Sequence, residues 1–177
     1  MSEPVPAPAI NGRLICYLWS RELCYGTGER LVRVAYRMTI QELEEKSKSL
    51  TYTYKVTPDV YYSFQRCSND YNPLHTDKMY ACEKGFPEQV MYGNILNAFV
   101  SHFVGMLLPS REVMIQSQDI SFHKPVFLND EIQLVAGIDT VSEAVNIINY
   151  KLKFRRVTDG KSELVAKGHV QIGLLTK

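Results

Sequence analysis

A chain of 177 residues, 45 % of them hydrophobic, can bury one proper core and needs no second domain. Twenty Lys and Arg against nineteen Asp and Glu leave a formal charge of +1, which gives no general field for nucleic acid or an anionic membrane. Neither is expected as a partner.

No apolar run reaches the roughly 18 residues of a membrane span, and the opening MSEPVPAPA lacks a basic and then apolar signal pattern. The expectation is a soluble, cytoplasmic protein. Cys16, Cys24, Cys67 and Cys82 form no C-x-x-C pair, so buried or half-buried free thiols are expected, with no metal site and no disulfide framework.

Three prolines in residues 1–9 and little that can pack predict a disordered tail over residues 1–12. One domain follows over 13–177, its first part, about 13–49, being an N-terminal extension. Leu14 to Trp19 is a short apolar stretch, and the turn residues GTGE at 26–29 precede a strand with one wet face over 31–38. Residues 39–49 are charged and helix-compatible, and alternation of Leu50, Tyr52, Tyr54 and Val56 with polar residues predicts a second strand. Thr57-Pro58-Asp59 is a helix start, with Thr as cap and Pro in the first turn, leading a short helix to about Cys67. Asn72-Pro73, Gly85 and Phe86-Pro87 make 68–90 irregular, with one helical turn near Asp77 to Glu83.

From Gly93 to Leu107 runs a helix that is apolar on most of its surface, so something must wrap it. The last third supplies strands at about 112–122, 131–139, 144–157 and 162–174. In the last two, Ile148, Tyr150, Leu152 and Phe154, and Leu164, Ala166, Gly168, Val170, Ile172 and Leu174, share the inward face. The fold class is α+β, a long helix covered by an antiparallel sheet.

Chemistry concentrates just before that helix. Asp70 and His75 form a potential acid/base pair on a loop stiffened by Pro73, and a glycine opening a buried helix lets a ligand approach free backbone N–H groups. Such a place suits a carbonyl oxygen that gains negative charge. Taken alone, the alternative is that Asp70 caps a turn and His75 packs near the surface.

The run SNDYNPLHTD at 68–77, Tyr80-Ala81, and Val90-Met91-Tyr92-Gly93-Asn94-Ile95-Leu96 resemble the MaoC-like (R)-specific enoyl-CoA hydratases and related dehydratases of the hot-dog fold. Their pattern is S-x-D-x-N-P-x-H-x-D, a Tyr-Ala, then V-H-G-M-L opening the central helix. Ser121 to Phe127 resembles the family's strand ending in F-x-x-P-V, with Asp130-Glu131 as its G-D-E-like turn, so the likeness covers about 50–174.

The resemblance implies that Asp70 and His75 activate the water that adds to C3 of a trans-2-enoyl thioester and exchange the proton at C2, while the Gly93 N–H polarises the thioester carbonyl. Asn72, Tyr92, Asn94, Lys84 and Lys124 are assigned to substrate, Asn72 also shaping the loop and the two lysines meeting the phosphates of the carrier. Neither metal nor organic cofactor is implied. Expected partners are an acyl-CoA or acyl carrier protein substrate and further copies of the chain, in a homodimer or larger assembly. Tyr92 stands where the family has His, and Asn69 where it has a small residue. The alternatives are a non-catalytic hot-dog subunit that binds acyl thioesters or a partner, and an acyl thioesterase, though residues 93–107 lack the acidic residue such hydrolases use. His102 is expected at an interior or interface position, and His123 and His169 on strands without a role.

Overall fold

The computed structural model describes residues 37–158 and 160–175. The expected tail and the elements placed before residue 37 lie outside the described residues, while Arg37 and Met38 themselves are not in a strand.

Helix α1 (Ile40–Ser47) starts on a reciprocal cap: the Thr39 hydroxyl accepts from the Glu42 N–H and the Glu42 carboxylate accepts from the Thr39 N–H. It buries Ile40 and Leu43. Strand β1 (Ser49–Lys55) follows, and Thr57 then caps α2 (Pro58–Ser68) through the Val60 N–H as its sequence predicts. Two short helices stand in the loop, α3 (Pro73–Thr76) and α4 (Lys78–Glu83), where the sequence indicated one turn. Each has its own side-chain cap, from Asn72 and from Asp77, and this local capping is what the single-turn reading undercounted.

The central helix α5 (Ile95–His102) buries Ile95, Leu96, Phe99 and Val100 and passes into one π-helical turn, Phe103–Leu107, which buries Phe103 and Val104. Its opposite side is exposed at Asn94, Ala98, Ser101, His102, Gly105 and Met106, so the helix is apolar over most of its girth and not all of it.

Strands β2 (Val113–Phe122), β3 (Glu131–Ser142), β4 (Ile147–Thr158) and β5 (Lys161–Leu174) complete one antiparallel five-stranded sheet in the order β1-β3-β4-β5-β2. Its inward residues, among them Ile132, Leu134, Ile148, Tyr150, Leu152, Phe154, Val170 and Ile172, form one core with α5. Irregularities between Ile115 and Ser117, Ile138 and Thr140, and Phe154 and Arg155 add bend and twist. The last displaces the expected alternation in β5, so that Val165 and Ala166 are both buried. Cys67 and Cys82 are free and exposed, which corrects for these two the expectation of buried or half-buried thiols, since both lie on outward faces of short surface helices; Cys16 and Cys24 lie outside the described residues. Among the described residues no helix is long and apolar enough to cross a membrane.

Candidate active site

Three local devices build the loop that carries Asp70 and His75. Asn69 takes a left-handed conformation, φ 54°, its N–H donating to the Gln65 carbonyl, and so turns the chain sharply out of α2. The Asn72 side chain accepts from the Leu74 N–H at 2.9 Å and starts α3, where Pro73 fits the first turn without losing a needed donor. The Asp70 Oδ1 accepts from the Asn72 N–H at 3.0 Å. One carboxylate oxygen is thus engaged, and Oδ2 is left to face His75.

His75 is fixed from its other nitrogen. Nδ1 lies 2.7 Å from the Val90 carbonyl oxygen, which can only accept, so Nδ1 carries a proton and Nε2 is the nitrogen turned to the site. The His75 Nε2 is 4.0 Å from the Asp70 Oδ2, with His75 17 % exposed and Asp70 45 %. That gap is too long for a direct hydrogen bond. A water oxygen about 2.8 Å from each atom would subtend roughly 90° between them, which one molecule can bridge.

Backbone pairing joins this loop to the entrance of α5. The Val90 N–H donates to the Leu74 carbonyl at 3.1 Å, and the Met91 N–H to the Val126 carbonyl at 2.7 Å. Buried Tyr61 donates to the His75 carbonyl at 2.6 Å and approaches the Val90 carbonyl at 3.2 Å. Burial pushes the Tyr61 phenol well above its ordinary pKa, with repulsion from Tyr92 adding to it, so it stays a donor. Tyr92 places its ring centroid 4.2 Å from that of His75, and its hydroxyl donates to the Asp70 backbone carbonyl at 2.8 Å. Burial raises the Tyr92 phenol too, against a lowering by the Gln65 side chain.

Gly93 follows. Among the described residues no acceptor takes the Gly93 N–H or the Asn94 N–H, whose carbonyls hold the first turn of α5. A Cβ at Gly93 would come within 3.1 Å of the Phe122 ring, so glycine here answers a close approach by the end of β2.

The sequence-predicted residues therefore divide. Asp70, His75, Tyr92 and Gly93 come together. Asn72 spends its side-chain oxygen on the cap of α3, and the Asn94 side chain accepts from Asn97 at 2.9 Å beside the helix start. Lys84 ends α4 with its ammonium 5.2 Å from the centroid of the Tyr80 ring. Lys124 is paired with Glu163, which Arg156 also meets at 2.5 Å, and hydrogen bonds from Lys124 and Arg156 hold the Glu163 carboxyl below its usual range. Neither lysine is hydrogen-bonded or ion-paired to Asp70 or His75. His102 is exposed, with Nδ1 at 3.1 Å from the Tyr54 hydroxyl, exposed His123 lies just past β2, and exposed His169 lies 3.4 Å from Asp119. Among the described residues no three His, Cys, Asp or Glu side chains converge as metal ligands would.

The sequence reading did not contain Tyr61 as a contributor, and it had Phe122 only as the first residue of the F-x-x-P-V likeness, without its contact at Gly93. For Tyr61 the usable signal is a tyrosine on the inward side of an amphipathic helix, since a buried phenol needs a partner.

A helix packed in a five-stranded antiparallel sheet of order 1-3-4-5-2 defines a hot-dog protein. The chain belongs to the family of the MaoC like domain, whose model matches residues 40–159. The match starts ten residues before the likeness read from motifs, taking in α1. The chain is 31 % identical over 81 residues to the (R)-specific enoyl-CoA hydratase of Aeromonas caviae, covering 46 % of this chain and 60 % of that protein. It is 27 % identical over 92 residues to the mitochondrial 3-hydroxyacyl-[acyl-carrier-protein] dehydratase of Arabidopsis thaliana, 52 % of this chain and 53 % of that one. The matches thus span little more than half the length of these curated relatives. The solved R-hydratase PhaJ1 of Pseudomonas aeruginosa shares the fold at a TM-score of 0.68 and 23 % identity, over 80 % of this chain and 88 % of that chain.

Proposed function

We propose that the protein interconverts trans-2-enoyl and (3R)-3-hydroxyacyl thioesters carried on coenzyme A or an acyl carrier protein. The observation that carries this reading is the 4.0 Å opening between the Asp70 Oδ2 and the His75 Nε2, with Tyr92 packed on His75 and followed in the chain by Gly93, whose N–H meets no acceptor among the described residues. Water held in that opening loses one hydrogen to the Asp70/His75 pair while its oxygen bonds to C3. The C2–C3 π electrons move toward the thioester oxygen, where the Gly93 N–H and the start of α5 stabilise the enolate-like charge. The pair then returns a proton to C2, so the net addition is one water and the acid/base groups are restored. Dehydration is the reverse.

The relatives' names support the same chemistry, and residues 93–107 hold no Asp or Glu for the thioesterase alternative. Lys84 and Lys124 remain the cations assigned to the carrier's phosphates, Lys124 by exchanging Glu163 for phosphate. A homodimer in the cytoplasm belongs to this proposal as well. The test is the loss of enoyl absorbance from crotonyl and longer thioesters on both carriers, with chiral analysis of the product. Turnover to the 3R alcohol is expected. No hydration of any chain length on either carrier would overturn the proposal.

A further inference from the structure

We infer that Tyr92 is the positioning residue that holds Asp70 and His75 in register with the Gly93 N–H, an inference that rests on the hydration reading above. The sequence assigned Tyr92 to substrate, but its hydroxyl proton is engaged elsewhere: it goes to the Asp70 backbone carbonyl at 2.8 Å. The ring is 2 % exposed and is held by Tyr61 at 5.1 Å and Phe64 at 5.4 Å between centroids, which leaves it no freedom to swing out.

Asp70 otherwise has weak ties to the body of the protein. Its N–H reaches only the Ser68 hydroxyl at 3.4 Å, and its Oδ1 closes a turn within its own loop. The hydrogen bond from Tyr92 is therefore the contact that fastens the Asp70 backbone to the buried entrance of α5. The same ring lies against the face of His75, whose edge is held by the Val90 carbonyl. Since Tyr92 is also bonded covalently to Gly93, one side chain sets the carboxylate, the imidazole and the N–H donor relative to one another. Shifts of about 1 Å in such an arrangement cost up to roughly a hundredfold in rate.

The experiment is Tyr92→Phe, which keeps the ring and removes the hydroxyl, and with it the tethering bond to the Asp70 carbonyl and the contact with the Gln65 side chain, assayed with an enoyl thioester in the otherwise native chain and in an Asp70→Asn background. In the native background kcat should fall about tenfold or more with KM within about twofold. In the Asp70→Asn background the same change should cost less than about twofold, because the carboxylate that the tether positions is gone. A rise in KM at unchanged kcat would make Tyr92 a substrate contact and overturn the inference. An equal loss in both backgrounds, or a variant that melts below the assay temperature, would reduce it to a general packing residue and overturn it too. If the unaltered protein turns over no enoyl thioester, the hydration reading itself falls; an active protein whose Tyr92→Phe variant keeps its kcat sinks only the positioning role.

Discussion

Asp70 and His75 are readable in sequence because the loop that presents them is built from neighbours: Asn72 caps, Pro73 starts, Asn69 turns, each within three residues of Asp70. Tyr61 and Tyr92 work across 14 and 22 positions, and no spacing announces a contact of that range. Asp70→Asn keeps an oxygen for the turn and removes the charge, so the expected outcome is a loss of at least about a hundredfold in turnover with an unchanged melting curve; His75→Ala should lose as much. Near-native rates in both would remove the pair from the mechanism. Gly93 answers a different constraint. In Gly93→Ala the new methyl meets the Phe122 ring at 3.1 to 3.2 Å, but that ring is 51 % exposed at the end of β2 and can swing away. Stability should therefore drop by no more than about 1 kcal/mol, while kcat falls because the N–H donor shifts. Adding Phe122→Ala should restore part of the rate; a double variant as slow as the single one would show that the ring is not the obstacle.

At the scale of elements, alternation located β1, β4 and β5 and helical periodicity the central helix, while β2 and β3 were placed by strand-like runs between turn signals. Periodicity missed where α5 gives way to a π turn, because Phe103, Val104 and Leu107 are apolar in either winding and only the Leu108 N–H bonding back to the Phe103 carbonyl reveals the change. It also missed the bulge that buries Val165, whose carbonyl accepts from the His123 and Lys124 N–H groups and so docks the end of β2 on β5. Where β2 and β5 pair, a Cβ on Gly168 would lie 1.9 Å from the Asp119 carbonyl oxygen, an overlap with backbone that no rotamer relieves. Gly168→Ala should cost about 3 kcal/mol or more, read as a lower denaturant midpoint. Gly137→Ala is the matching control: on β3, paired on both sides, its Cβ would meet only the Lys48 carbonyl oxygen at 3.9 Å, an ordinary contact, and losing a glycine from a strand should leave stability equal or up to about 1 kcal/mol higher. Similar midpoints for the two variants would mean that the strands do not approach as closely as the structure has them.

At the scale of the whole molecule, the sheet has edges at β1 and β2, and among the described residues β2 pairs on one side only. Beside it runs the exposed side of the central helix, Ala98, Ser101, His102, Gly105 and Met106, linked to β2 by the Gln118 amide donating to the Asn97 side chain at 3.0 Å. Met106, Met114 and Phe122 are each more than half exposed there. An open edge next to small and apolar residues fits a second copy related by a two-fold axis, which would pair the edge and cover the helix together. A copy seated on β2 would also stand beside Phe122, which ends the strand and lies against Gly93, so the expected assembly and the candidate site would meet there. Light scattering at micromolar concentration should therefore give about twice the 20.3 kDa chain mass or more. Ala98→Glu puts a charge on the exposed helix face without touching the core, so it should yield a folded monomer with a higher KM for the long carrier-bound thioester than for a short one. A fully active monomer in the unaltered protein, or an Ala98→Glu variant that assembles as before, would mean that this face is simply solvated.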